Sequence, residues 1–557
     1  MYHSESGTCP PVRGGLSKRK VSPMTAEELS IDDGRATGPD QPQAPDAEQT
    51  GLLYVVSHRL AESGAHGIPN IQRANSTCRR LVWTVLFLAG FGMFIYQGTV
   101  LVIKYYSYPI NVNIEVRTPK KVQFPAVTWC NLNPIRKDAL RDYADLNSLL
   151  EGSNPECTTS SGNSSFQPRK RFQGYPSDWD SADIDYSAED CDRQTFDSAT
   201  DIVGAMPYSE RSKTGHHLND MLLKCTFQEK PCSPKNFSTI YNSRYGNCYT
   251  FNSGFKGVEA INVTKVGPTY GLSMELYIQQ DLYITGVETG AGVRIMVHNQ
   301  TDMPFPEDKG ANVAPGTESF IGIFRVMVNR LPLPYGDCAD HFVKDNIFKN
   351  QFGHLEYTKT ACEKDCYFKE VLEQCKCADV QYRYDDSIAA CNSSIESEEN
   401  CIDEIQQNFT SGVLDCTHCH KSCNETRFER SFSHSIWPNH DYKDTVKENI
   451  QKSNKDTVDL MRNNSAFIEE NVLRVNVYYD SLFYDDIYQS EAYPSSSLAS
   501  DLGGQVGLWI GVSVLTVFEF VELMMDVCVL AMSKCRAGGE KGRAGKSSEH
   551  GKGKPAA

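Results

Sequence analysis

The sequence predicts an α+β membrane protein, with two transmembrane helices per subunit and one large disulfide-rich extracellular domain between them. Three observations carry this reading. Two apolar runs of membrane-spanning length sit near the two ends of the 557-residue chain, sixteen of its twenty cysteines fall between them, and the same interval mixes alternating with 3.6-period hydrophobic patterns. The composition, 40% hydrophobic and 23% charged, is that of a folded chain rather than a disordered one. A net charge of −16 argues against nucleic acid as a partner, because phosphate backbones are held by clustered Lys and Arg.

Residues 1–80 read as a cytoplasmic N-terminus. The first fifty, rich in Gly, Pro, Ser and Asp and without hydrophobic periodicity, are expected to be disordered. The first transmembrane helix is placed at 81–104, where Leu81 to Ile103 is broken only by Thr84, Gln97 and Thr99 among polar residues. As a helix this run is roughly 35 Å long, against a hydrocarbon core of about 30 Å. No basic-then-apolar signal precedes it, so it reads as a retained anchor. The second helix is placed at 501–532 and the cytoplasmic tail at 533–557. Arg79 and Arg80 before the first run, and Lys534 and Arg536 after the second, put both termini inside by the positive-inside rule. Residues 105–500 are then extracellular, contacting membrane lipid only through the flanking helices.

Eight Asn-x-Ser/Thr sequons in that interval, at Asn163, Asn236, Asn262, Asn299, Asn392, Asn408, Asn424 and Asn463, fit a glycosylated loop. The cysteines from Cys130 to Cys423 favour disulfides. Zinc competes at Cys375-x-Cys377 and at Cys416-x-x-Cys419 with His418 and His420, but an oxidising compartment pairs the thiols first, so no metal and no cofactor is expected beyond N-linked glycans. Cys9, Cys78, Cys528 and Cys535 lie on the cytoplasmic side as free or palmitoylated thiols. Alternation at 271–279, 293–298 and 473–479 predicts strands of a half-buried sheet, and the stretch 340–374 predicts short cysteine-stapled helices.

The second run, Val506 to Leu530, carries Glu519, Glu522 and Asp526. Three carboxylates cost about 2.5 to 3.5 kcal/mol each, against about 0.3 to 0.6 kcal/mol gained per Leu, Ile, Val or Phe. The fourteen such residues roughly cancel the penalty, so a lone lipid-facing helix is marginal. At 100° per residue the three acids share about 60° of arc and form one acidic stripe that wants water. Its bland alternative is a polar patch that glues helices together.

Specific stretches resemble the epithelial sodium channel/degenerin family, including the acid-sensing ion channels. They are His66-Gly67, Phe124-Pro-Ala-Val-Thr-Trp-Cys-Asn131, Arg244-Tyr-Gly-Asn-Cys-Tyr-Thr-Phe-Asn252, Cys362-x-x-x-Cys366 with Cys375-x-Cys377, and Asp501-Leu-Gly-Gly-Gln-Val-Gly-Leu-Trp-Ile-Gly-Val-Ser513. The resemblance covers roughly residues 55 to 535. It implies an amiloride-sensitive, sodium-preferring plasma-membrane channel, a homotrimer or heterotrimer with related subunits, whose extracellular domain divides into palm, β-ball, finger, thumb and knuckle. Three helices around an axis would turn the acidic stripe into carboxylate rings, with Glu519 and Glu522 enriching permeant Na⁺.

Residue by residue, the resemblance makes Gly511, Val512 and Ser513 the selectivity filter and assigns gating roles to His66, Gly67, Ser500 and Asp501. Without it, Gly-x-Ser is ordinary small-residue packing and Ser500 an ordinary helix N-cap. Tyr108 and Tyr335 match the aromatic pair that joins extracellular domain to pore, although the second member is usually Trp. The family's pairings imply Cys130 with Cys248, Cys225 with Cys232, Cys338 with Cys423, Cys362 with Cys419, Cys366 with Cys416, Cys375 with Cys401, and Cys377 with Cys391. Cys157 and Cys191 remain and are expected to close a finger insertion.

What opens the channel has three readings: neuropeptide, protons, or constitutive activity. The stretch after the first span, Lys104-Tyr-Tyr-Ser-Tyr-Pro-Ile-Asn111, lacks the histidines that acid-sensing channels carry there, and the Pro-Pro-x-Tyr tail motif of the epithelial channels is missing. The chain most resembles the invertebrate FMRFamide-gated sodium channels. Tyr175, Asp178, Trp179, Asp180, Asp183, Asp185 and Tyr186 alternate aromatic faces with carboxylates and suit an amidated Arg-Phe neuropeptide, against the blander reading of an acidic solvated loop. No enzyme motif competes: there is no phosphate-binding Gly-rich loop, no His-Glu-x-x-His and no Gly-x-Ser-x-Gly. A cysteine-rich surface receptor without a pore is the alternative of another class, and it leaves the acidic stripe unexplained.

Overall fold

The computed structural model describes residues 56, 59–61, 63–64, 67–144, 146–147, 188–284, 288–342, 345–393, 395–453 and 457–544. They belong to two compact units, one comprising the chain up to Met93 together with Val506 onward, the other Phe94–Gln505. His66, Cys157 and the residues 175–186 considered for peptide binding lie outside the described residues.

In the first unit a six-residue helix, Ile68–Arg73, is followed by the long helix Thr77–Tyr106, which continues into the second unit. Among the described residues that long helix alone is long and apolar enough, by length and composition, to cross a membrane. Its apolar side chains face outward: Leu81, Leu88 and Ile103 are each at least 60% exposed, which in water would expose a large apolar surface for no return. The expected second span is two helices, Ser495–Trp509 and Val514–Ala544, separated at 510–513. Leu515, Phe518 and Met524 on the second of these are also exposed, while Glu519, Glu522 and Asp526 interrupt its apolar character.

In the second unit the core is sealed between two sheets. An eight-stranded mixed sheet runs Ile110–Arg117, Tyr484–Glu491, Thr317–Asn329, Val472–Tyr479, Leu272–Tyr277, Leu222–Phe227, Lys230–Pro231, with Asn424–Ile436 added along Thr317–Asn329. A five-stranded sheet runs Ala311–Val313, Val293–His298, Ala126–Asn131, Gly246–Phe251, Phe237–Asn242. Trp129, Phe251 and Val293 from the smaller sheet meet Leu272, Met274, Ile321 and Val475 from the larger in one fully buried cluster. Leu272, Met274 and Leu276 are the inward members of the alternation seen at 271–279, so the period-2 pattern places the core face correctly.

A second hydrophobic cluster sits beside this sandwich. Helices Lys359–Cys375 and Glu396–Thr410 pack Phe368, Val371, Ile402 and Ile405 against Phe348. Within the stretch 340–374 a short helix begins at Ile347, because the Asn346 side chain caps it, accepting from the N–H groups of Phe348 and Lys349 at 3.1 Å each. Four disulfides, Cys362–Cys419, Cys366–Cys416, Cys375–Cys401 and Cys377–Cys391, staple this module, and Cys130–Cys248, Cys225–Cys232 and Cys338–Cys423 staple the sheets. Cys362 with Cys419 and Cys377 with Cys391 also stand near His418 and Glu398, respectively. Their sulfurs are consumed in disulfides, which leaves no thiolate for zinc. Cys78 and Cys528 are free and exposed.

Candidate functional site: a broken helix and its two attachments

Gly511 and Ser513 divide the second apolar run by ordinary capping chemistry. Gly511 has φ of 70°, the left-handed conformation that ends helices, and its N–H donates to the Gly507 carbonyl at 3.1 Å. Ser513 starts the next helix. Its hydroxyl accepts from the Thr516 N–H at 3.3 Å, and its own N–H donates to Thr516 Oγ1 at 3.2 Å, a reciprocal capping box. Gly-Val-Ser therefore stops one helix and starts another within three residues, leaving non-helical backbone in the middle of an apolar run. In a helix crossing a bilayer, irregular backbone of this kind is tolerated only against protein or water.

The first long helix packs closely at this break. A Cβ on Gly90 would stand 2.9 Å from the Trp509 carbonyl oxygen, whereas one on Gly92 would meet nothing within 4 Å. Gly90 thus admits the backbone of the interrupted run to a distance that any side chain would close.

Below the break, the segment before the first helix lies along Val514–Ala544. The Gly64 N–H donates to Glu519 Oε2 at 2.7 Å, and Arg59 Nη2 reaches Asp526 at 2.9 Å and Glu522 at 3.2 Å. A Cβ on Gly64 would stand 2.9 Å from the buried Thr516 hydroxyl, so only glycine allows this approach. Arg73 holds the segment by donating to the Ala61 carbonyl at 2.7 Å. Gly67 is buried at φ 98°, with Phe87 of the long helix 3.1 Å from where a Cβ would be. The acidic stripe is real on the helix, and each of its three carboxylates is engaged from the same neighbouring segment.

In the second unit the long helix and the helix Ser495–Trp509 each connect to one of two paired strands. Ile110–Arg117 and Tyr484–Glu491 run antiparallel in continuous register from Ile110 opposite Glu491 to Arg117 opposite Tyr484. Tyr108, at φ 46°, meets the Tyr335 ring edge to face at 5.2 Å. The loop carrying Tyr335 is anchored to the paired strands, since the Leu331 N–H donates to Gln489 Oε1 at 3.0 Å, and Cys338–Cys423 closes its other side.

Tyr493, which sequence reasoning passed over, is central here. It is 4% exposed, Lys104 Nζ sits 4.4 Å over its ring, and its hydroxyl donates to Asp501 Oδ2 at 2.7 Å. Burial, reinforced by the Asp501 carboxylate, pushes the phenol up to about 12, so it remains a donor at all physiological pH. Ser500 is exposed inside the helix that begins at Ser495 rather than at its start, so the N-cap reading fails. Pro494 fixes that earlier start, its carbonyl accepting from the Ser497 N–H at 3.0 Å.

Sequence signals existed for some of the missed residues. Ser513-x-x-Thr516 has the spacing of a capping box, and glycine in an apolar span signals close packing at Gly90. Nothing local marks Arg59 or Tyr493.

Residues 60–523 match the family described as amiloride-sensitive sodium channel. The chain is 30% identical over 484 residues to acid-sensing ion channel 1C of Danio rerio, covering 84% of this chain and 82% of that one. It is 28% identical over 560 residues to the epithelial sodium channel subunit alpha of Homo sapiens, covering 88% and 82%. The matched region contains the capped break, the acidic residues Glu519 and Glu522 and the seven disulfides found among the described residues, and on these grounds the chain belongs to the amiloride-sensitive sodium channel family.

Proposed function

We propose that the chain is a subunit of a trimeric, sodium-selective plasma-membrane channel with both termini cytoplasmic, blocked by amiloride-type compounds. The observation that carries this is the Gly511-Val512-Ser513 interruption, followed on the same helix by Glu519 and Glu522. Three such interruptions around an axis supply backbone oxygens to a partly dehydrated cation, and the carboxylates below raise the local cation concentration. Gly67, beside Phe87, and His66 form part of the cytoplasmic gating region in this reading. Tyr108, Tyr335, Ser500 and Asp501 link the paired strands to the pore helices. The relatives named as acid-sensing and epithelial sodium channels support the sodium-channel class. The test is bi-ionic recording from cells expressing the chain: a sodium-over-potassium preference that changes on Gly511 or Ser513 substitution is expected, and an unchanged preference overturns the filter.

For the opening stimulus, we propose an extracellular amidated Arg-Phe neuropeptide held by Tyr175, Asp178, Trp179, Asp180, Asp183, Asp185 and Tyr186. It must bind the open state more tightly than the closed one. Application of such peptides at constant pH is expected to evoke current, and silence overturns this assignment.

One observation favours protons as a second reading. Burial, reinforced by Glu356, pushes the Asp302 carboxyl up to about 7, inside the range a physiological acid sensor requires. Buried His216 and His298 do not serve, since burial holds them down to about 3 and about 4.

A further inference from the structure

Arg59 places one guanidinium against two carboxylates of the inner acidic stripe, at 2.9 Å from Asp526 and 3.2 Å from Glu522. We propose that Arg59 is a tethered counter-ion, an intramolecular cation that occupies the Glu522–Asp526 site and competes there with multivalent cations from the cytoplasm. The inference rests on the proposal that this stripe faces the ion path.

Three features support it. The guanidinium is charged at every physiological pH, so the compensation is permanent rather than titrated. Its side chain is 43% exposed, and those of Glu522 and Asp526 are 57% and 40% exposed, so no other part of this chain encloses the three groups. Pairs this exposed contribute little to holding a fold together, so the contact can yield to a competing ion without unfolding the segment. The segment is held independently by the Gly64 N–H on Glu519 and by Arg73 on the Ala61 carbonyl. Arg59 therefore lies on a fixed backbone with a displaceable head. Without it, each subunit presents two uncompensated carboxylates, one helical turn apart, to the cytoplasmic solution. That is a site for a polyamine or Mg²⁺ rather than for Na⁺, because a multivalent ion gains attraction from both acids at once.

The experiment is block by cytoplasmic spermine in excised inside-out patches. Arg59→Gln is expected to lower the half-blocking concentration roughly tenfold and Arg59→Lys to leave it near wild type, by the charge argument. Equal block in wild type and R59Q overturns the proposal. Should R59Q fail to reach the surface, Arg59→Cys modified in the patch keeps the question open to decision, with the wild-type channel as the reagent control. A trimethylammonium thiol reagent is expected to relieve block and a sulfonate reagent not to, whereas equal effects overturn the proposal. Joint Glu522→Gln and Asp526→Asn separates this inference from the one beneath it. If those neutralisations change conductance while R59Q leaves block unaltered, Arg59 alone is misassigned. If they change neither conductance nor block, the pore-facing stripe itself is wrong.

Discussion

The Tyr493 hydroxyl donates to Asp501 at 2.7 Å while Lys104 rests over the same ring, so one buried side chain joins the end of the helix Thr77–Tyr106 to the helix Ser495–Trp509. A hydrogen bond to a charged acceptor is worth about 1.5 to 3 kcal/mol, and a partly desolvated cation–π contact about 1 kcal/mol. Tyr493→Phe removes the first and keeps the second, and Tyr493→Leu removes both. If the clamp exists in only one gating state, Y493F is expected to shift the open–closed equilibrium by about tenfold or more, read as a displaced activation curve. Y493L should shift it further in the same direction. Curves that coincide with wild type, at normal surface expression, would remove Tyr493 from the coupling path.

At the break, Gly511→Ala forces a Cβ into the left-handed region at a cost of about 1 to 2 kcal/mol, and Ser513→Ala removes a cap worth about 1 kcal/mol. Both act at the three-residue break and leave the acidic side chains of the following helix in place. Each is therefore expected to reduce sodium-over-potassium preference, while Ser513→Thr, which keeps the capping hydroxyl, retains it. The measurement is the reversal-potential shift on replacing sodium with potassium.

Much of this site was legible, and the reasons differ by residue. The long helix Thr77–Tyr106 follows from a continuous apolar run of spanning length, and the sandwich strands follow from period-2 alternation, because burial on one face leaves a trace at every second position. The seven disulfides are the pairs implied by family resemblance, since spacing alone permits many connectivities. Gly511 and Ser513 carried their own capping signals. Arg59 and Tyr493 did not, because their partners lie across the fold: Arg59 is 463 residues from Glu522, and Tyr493 meets Lys104 through space. The acidic stripe alone suggests carboxylates free to meet ions, yet they are engaged by a segment whose sequence carries no docking signal.

Gly90 and Gly92 form a matched pair on the first long helix. Gly90→Val drives a branched side chain into the Trp509 carbonyl, 2.9 Å from the Cβ position, and neither partner can swing aside because the obstacle is backbone. Gly92→Val meets open space. Surface expression and current are expected to fall severely for G90V and to stay near wild type for G92V. Equal behaviour of the two would show that the long helix does not pack at the break.

The Asp302 carboxyl offers a pH test whose sign is fixed. Its folded value, about 7, lies above the usual 3.8, so between those values the folded chain binds a proton that the unfolded chain does not. That contribution is fully present below about 4 and is lost as pH rises through 7. Asp302→Asn, neutral at every pH, should flatten this part of the stability profile, measured by thermal unfolding of the purified protein between pH 5 and 8. His216 and His298 act oppositely and at lower pH: held neutral by burial, they favour the fold above the usual imidazole value of 6.5 and weaken it as acid is added. A D302N profile parallel to wild type across pH 5 to 8 would dismiss Asp302 as a sensor and weaken the proton reading.

Ser500 precedes Asp501 on the same helix, and its hydroxyl faces outward next to a residue held by Tyr493. Added bulk at that point cannot be absorbed by moving Asp501 without giving up the 2.7 Å hydrogen bond, so it must be met by whatever faces Ser500 from outside this chain. In the proposed trimer that neighbour would be the same helix of another subunit, and closure at the extracellular end would bring the copies together. Ser500→Cys is expected to gate normally until a bulky thiol reagent is applied from outside, and then to carry sustained current. The exposed native thiols Cys78 and Cys528 belong to the cytoplasmic side in the proposed topology, so a membrane-impermeant reagent spares them. A channel that still closes fully after confirmed modification would place Ser500 away from the closing surface.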